Sequence, residues 1–120
     1  MVPKTARDLV AEHLQRWGLA SFVQDARTVA SELVTNAVQH APYGVVGIAV
    51  KYADGELRIE VEDGSPDDPA IRQPDGEGER GRGLQLVQCL SDAWGFQRKA
   101  HGTKTTWCAF HAPSATGGGD

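Results

Sequence analysis

The sequence has no run of lysines and arginines and no apolar stretch near the ~20 residues of a membrane span. Its formal net charge is −4 and its pI is near 5.5. Nucleic acid and anionic membrane are therefore poor partners, and none is expected. Cysteine is scarce: Cys89 and Cys108 stand alone, each amid apolar neighbours. Both read as buried free thiols rather than a disulfide, which suits a reducing cytoplasm. The four histidines and two cysteines show no zinc-ligand spacing, which argues against a structural metal. Met1-Val2-Pro3-Lys4 does not open a secretion signal, so a cytoplasmic location is expected. What is present, 40% hydrophobic and 23% charged residues over 120, suits one domain that buries a core without staples.

Periodicity divides the chain. Thr5–Trp17 predicts an amphipathic helix, with Ala6, Leu9, Val10, Leu14 and Trp17 on one face and Gly18 as its stop. A long helix over Phe22–Ala41 follows and ends at Pro42-Tyr43-Gly44. Its apolar stripe is Phe22, Ala26, Val29, Ala30, Leu33, Ala37 and Ala41, with Gln24, Thr28, Ser31, Thr35 and Gln39 on the far side. The period then becomes two. Val46, Ile48, Val50 and Tyr52 alternate, as do Leu57, Ile59 and Val61, around an Ala53-Asp54-Gly55 turn. Gly64–Arg80 is a long loop of glycine, proline and acidic residues. Leu84–Trp94 predicts a third helix, and Ala93–Ala100 with Thr103–His111 a closing hairpin that turns at His101-Gly102. The domain spans residues 1–111 and Ala112–Asp120 a disordered tail. The order α-α-β-β-loop-α-β-β gives an α+β fold. It is a two-layer α/β sandwich with a mixed, mainly antiparallel sheet and three helices on one face.

Four short patterns carry chemistry. In the long helix, Glu32, Asn36 and His40 are spaced four apart and stack along one side. At about 100° per residue, Asn36 and His40 fall at the edge of the apolar stripe or inside it. A carboxylate and an amide one turn apart can hold a hard cation, activate a nucleophile, or both. They can also simply border the core and bond backbone or water. Val61-Glu62-Asp63-Gly64 closes a strand with a carboxylate suited to accept from an exocyclic amine such as adenine's; a plain strand-ending turn reads the same. Gly81-Arg82-Gly83-Leu84 opens the third helix, where converging backbone N–H groups and the helix dipole attract anions. Gly102-Thr103-Lys104-Thr105 enters the last strand. It is not a phosphate-binding P-loop, because the lysine does not follow the glycine and no helix follows. Thr105 matters there only in company with the other three.

In this order the patterns resemble the N box and three G boxes of the GHKL (Bergerat-fold) ATPase superfamily. Glu32–Ala41 is similar to the N box of bacterial anti-sigma-factor serine kinases. Asp63-Gly64-Ser65-Pro66, Gly81-Arg82-Gly83-Leu84 and Lys104-Thr105-Thr106-Trp107 are similar to the matching G boxes. The resemblance covers about Ala6 to Phe110. It implies that Asn36 carries Mg²⁺ through its amide oxygen and that Glu32 is the general base. It further implies that Asp63 bonds the adenine amine with help from Thr105, that backbone at Gly81 and Gly83 holds the phosphates with Gly64 and Leu84 also in the cofactor site, and that Gly64–Arg80 is the ATP lid; its glycines, prolines and acidic residues predict a loop mobile without nucleotide. His40 lines the same helix face without an assigned role. Arg82 either pairs a phosphate or faces solvent. The chain departs from the broader superfamily at Pro66, where a second glycine is common; Ser65-Pro66 resembles the anti-sigma branch. Such proteins also usually start with a strand, whereas only Met1–Lys4 precede the first helix here; either that strand is absent or the start is trimmed, and an unpaired sheet edge or a homodimer is open.

The resemblance implies ATP and Mg²⁺ as cofactors and a kinase that phosphorylates a serine or threonine of an anti-sigma antagonist protein, with a sigma factor as a further partner. Two other readings stand beside it. One is an ATP-gated partner-binding module without kinase activity. The other is an ATPase half-domain serving a histidine-kinase partner.

Overall fold

The computed structural model describes residues 3–40, 45–64, 82–100 and 102–113. Within these, α1 (Pro3–Arg16) is followed by a 3-10 turn at Ala20–Phe22 and by α2 (Val23–His40). Then come β1 (Val45–Ala53), β2 (Glu56–Asp63), α3 (Arg82–Leu90), β3 (Ala93–Arg98) and β4 (Lys104–His111). The strands form one antiparallel sheet in the order β1-β2-β4-β3. With three helices on the sheet this is the expected α+β architecture, its sheet antiparallel rather than mixed. The expected lid beyond Gly64, Gly81, Pro42-Tyr43-Gly44, His101 and the last seven residues lie outside the described residues.

Local chemistry explains the boundaries. The end of α1 is closed by two bonds, Leu19 N–H to the Leu14 carbonyl at 2.8 Å and Gly18 N–H to the Gln15 carbonyl at 3.3 Å. This six-to-one and five-to-two pair satisfies carbonyls that the helix leaves open. Asp54 (φ 56°) and Gly55 (φ 77°) make the two-residue β1–β2 turn, whose left-handed pair matches the twist of the strands. The third helix ends at Leu90, four residues before the expected Trp94. Ser91 folds its hydroxyl back onto the Val87 carbonyl, and the Asp92 side chain accepts from His111 N–H, so the chain turns straight into β3.

The core lies between helices and sheet. Leu57, Ile59, Val61 and Asp63 alternate inward on β2, and register brings Phe110, Cys108, Thr106 and Lys104 of β4 beside them. Ala6, Val10 and Leu14 of α1 and Leu84 and Val87 of α3 pack into the same cluster. Helix α2 contacts α1, α3 and β2, so its buried arc is wider than the stripe read from sequence. Val34 is fully buried, and Ser31, expected on the far side, accepts from Arg7 Nη1 of α1 at 3.0 Å. Cys108 is buried, but Cys89 is exposed, because α3 turns only Leu84 and Val87 fully inward. Ala112, expected in the tail, is buried, and its N–H reaches the Gly55 carbonyl at 2.7 Å.

The outer face of the sheet is polar. Glu60 pairs with Lys51 and Arg58, Thr103 donates to Glu62, and the Arg58 guanidinium lies 4.1 Å from the Trp107 ring centroid. Trp107 stands over Gly95 so closely that an added Cβ there would lie 2.8 Å from its ring.

Candidate functional site

Three elements carry the expected site. Helix α2, which packs against α1, α3 and β2, carries Glu32 and Asn36. Leu33 and Ala37, their helix neighbours, are buried, while Glu32 itself is half-buried. Asn36 Nδ2 is buried and has no hydrogen-bond partner among the described residues. An orphaned amide inside a protein costs about 1–3 kcal/mol. Both residues lie within α2, and the amide nitrogen of Asn36 is turned inward. The backbone of His40 closes α2, and its side chain lies outside the described set.

The end of β2 supplies Asp63, only 2% exposed, followed by the half-buried Gly64. Across the ladder from Asp63 stands Lys104, 5% exposed, with Nζ 3.7 Å from Asp63 Oδ1. Two charges buried together at a strand end need each other, since an isolated buried ion is costly. Sequence reasoning missed Lys104, having set it aside as a failed P-loop lysine. Counting by twos back from Phe110 and Cys108 puts Thr106 and then Lys104 on the inner face, and a lysine on a core face is the signal.

Thr105 meets a different environment from the one expected. It is registered opposite Glu62, so strand alternation turns it to the face away from Asp63. Its Oγ1 is buried and has no hydrogen-bond partner among the described residues. Thr106, opposite Val61, shares the face of Asp63. The hydroxyl that register brings to the Asp63 side is therefore that of Thr106.

Arg82 and Gly83 form the first turn of α3 rather than a loop before it. Their amides, with that of Leu84, belong to the set that has no intrahelical acceptor, which suits an anion. Gly81 lies outside the described residues, as does the Arg82 side chain.

The donor set fits a nucleotide with a hard cation. Among the described residues no group of three or more His, Cys, Asp or Glu could hold a metal. A magnesium ion carried by phosphates and water needs only one or two protein oxygens, and a half-turn of the Asn36 amide exchanges its nitrogen for its oxygen. No helix among the described residues is long and apolar enough to cross a membrane.

Comparison with known proteins agrees with this architecture. The profile of the family described as "Histidine kinase-like ATPase domain" matches residues 2–108. No curated protein matches the chain. Among solved structures, the crystal structure of full-length ShkA in complex with AMPPNP is similar, with a TM-score of 0.63 and 20% sequence identity. The match covers 96% of this chain and 31% of that one, so this chain spans under a third of that protein's length. At this identity the likeness is one of fold. An ATPase domain implies ATP binding, and with residues 2–108 matched the chain belongs to the histidine kinase-like ATPase domain family.

Proposed function

We propose that this chain binds ATP with Mg²⁺ and acts as a regulatory serine/threonine protein kinase of the anti-sigma-factor type. Its acceptor would be an anti-sigma antagonist protein, with a sigma factor as a further partner. The observation that carries the reading is the orphaned, inward amide of Asn36, one helical turn from the half-buried Glu32. A buried polar group without a protein partner calls for one, and a bound ligand beside Glu32 would supply it. Asn36 would hold the cation through its amide oxygen. Glu32 would take the proton from an acceptor hydroxyl, and Asp63 would accept from adenine's amine. The first amides of α3 would hold phosphate oxygens. Bound ATP·Mg²⁺ supplies the phosphoryl group and neutralises its charge; the protein mainly positions and shields.

The test is transfer of label from radiolabelled ATP to candidate antagonist proteins, with Glu32→Gln in parallel. The substitution preserves shape and removes the base. ATP affinity should stay within a few-fold, and transfer should drop by at least about a hundredfold. Normal ATP binding without phosphorylation of any physical partner would make the chain an ATP-gated binding module instead. Adenine should be preferred over guanine, whose carbonyl would face the Asp63 carboxylate. Asp63→Asn should weaken ATP binding at least about tenfold, near 1.4 kcal/mol. Equal affinity of the wild-type chain for ATP and GTP in calorimetry would sink the assignment of Asp63.

A further inference from the structure

Lys104 has no part in the chemistry drawn so far, yet it is one of the four buried polar or charged residues among those described. The residue is 5% exposed, and its ammonium lies 3.7 Å from Asp63 Oδ1. At that separation the pair is ionic contact rather than a hydrogen bond, whose heavy-atom distance is about 2.7–3.2 Å. Lys104 therefore compensates the carboxylate's charge at close range. Register fixes the arrangement, because the two residues are direct cross-strand partners on the inner face. An acceptor and a donor thus stand side by side at one end of the sheet.

We propose that Lys104 is the second half of a purine-reading edge, with Asp63 accepting from adenine's exocyclic amine and Lys104 donating to the adjacent ring nitrogen, N1. The inference rests on the reading of Asp63 as the adenine acceptor. Adenine presents a donor and an acceptor in adjacent positions on that edge; an acidic and a basic side chain present the complement. Guanine in the same pose presents the reverse, a carbonyl oxygen toward Asp63 and an N–H toward the ammonium. Both contacts are then mismatched, and buried mismatches discriminate more strongly than missing apolar contacts. Lys104 is in this way a specificity determinant, and the ion pair holds it in place before nucleotide arrives.

The experiment is a cycle between residue and ligand atom, read by calorimetry. The probes are ATP, GTP and 1-deaza-ATP, in which N1 is replaced by C–H. The proteins are the wild type and Lys104→Met, which keeps the apolar stem and removes the charge. The wild type should bind ATP at least tenfold more tightly than 1-deaza-ATP, and Lys104→Met should lose most of that difference. The variant should also bind ATP at least tenfold less tightly and lose part of its preference over GTP. Lys104→Gln, which keeps a donor, should retain part of the ATP-over-1-deaza-ATP preference. It serves in place of the methionine variant if that does not fold. A wild type that binds ATP and 1-deaza-ATP equally overturns the role of Lys104 and leaves Asp63 standing. So does a Lys104→Met variant that binds ATP as well as or better than the wild type, for the lysine would then be a structural counter-ion or a plug. A wild type that binds no ATP removes the Asp63 reading along with it.

Discussion

Arg7 of α1 donates to the hydroxyl of Ser31 at 3.0 Å, one residue before Glu32. This bond links the first helix to the turn of α2 that opens the candidate site. Ser31→Ala should lower stability by about 0.5–1.5 kcal/mol, the net worth of one such bond. Arg7 is partly exposed and can turn to water, so the loss should not exceed that range. Urea unfolding measures the stability, and ATP titration should show affinity within about twofold to threefold of wild type. A large loss of affinity with unchanged stability would mean that the bond aims Glu32 rather than tying two helices.

Asn36 gives an opposite pattern. Its amide nitrogen has no hydrogen-bond partner among the described residues, so removing it should cost the nucleotide-free protein little. Asn36→Ala should leave apo stability unchanged or raise it by up to about 1 kcal/mol. The same variant should lose the Mg²⁺ dependence of ATP affinity, because one oxygen ligand of a hard cation is gone. Thermal melts with and without ATP and Mg²⁺ read both effects. A variant that is less stable but keeps wild-type Mg²⁺ dependence would mark Asn36 as a core-edge amide.

The two thiols should behave differently. Burial pushes the Cys108 thiol up from 9.0 to about 12. Above pH 9 the unfolded chain releases this proton while the folded chain keeps it. The unfolded state then binds fewer protons, so stability falls with rising pH. The contribution is intact below the unfolded value of 9.0 and is lost toward about 12. The slope from this group alone approaches about 1.4 kcal/mol per pH unit. Urea unfolding on both sides of pH 9 should show a shallower decline for Cys108→Ala than for wild type. A maleimide should label Cys89 in the native protein and both cysteines only in denaturant.

On the outer face, Gly95→Ala should be more disruptive than an exposed strand substitution normally is. The new methyl would lie 2.8 Å from the Trp107 ring, which also carries Arg58. Overpacking of this kind costs about 1–3 kcal/mol. Denaturant melts and tryptophan fluorescence should both report displacement of Trp107, whereas the nucleotide site, on the other side of the sheet, should keep its affinity.

Much of this was legible in the chain because period and polarity agree along it. Alternation gave β1 and β2, and Asp54-Gly55 gave their turn. The spacing of Glu32 and Asn36 placed Asn36 at the edge of the buried stripe, where its amide nitrogen is found buried. Features that depend on two distant segments were not legible. A sequence does not display which face of α2 meets α1, so Ser31 read as solvent-facing and Val34 as outside the stripe. The inward turn of Cys108 and the outward turn of Cys89 follow from strand register and helix rotation, not from their apolar neighbours. Thr105 and Lys104 were the instructive pair. One residue of register exchanges the faces of a whole strand, so the hydroxyl expected beside Asp63 went to the far side and the lysine took its place.

The position of β4 in the sheet also governs when the site can come into being. β4, the last of the described strands to be synthesised, lies between β2 and β3, not at an edge. Thr103 and Glu62, which bond across this seam, are separated by 41 residues. Closing a loop of that size precedes any reward from the contacts it brings. A nascent chain can form α1, α2 and the β1–β2 hairpin, but the partner strand of Asp63 is missing until residues 104–111 have been made. Nucleotide capture therefore reports that the whole domain has been assembled, and a chain cut short before β4 should have helices and a hairpin but no ATP site.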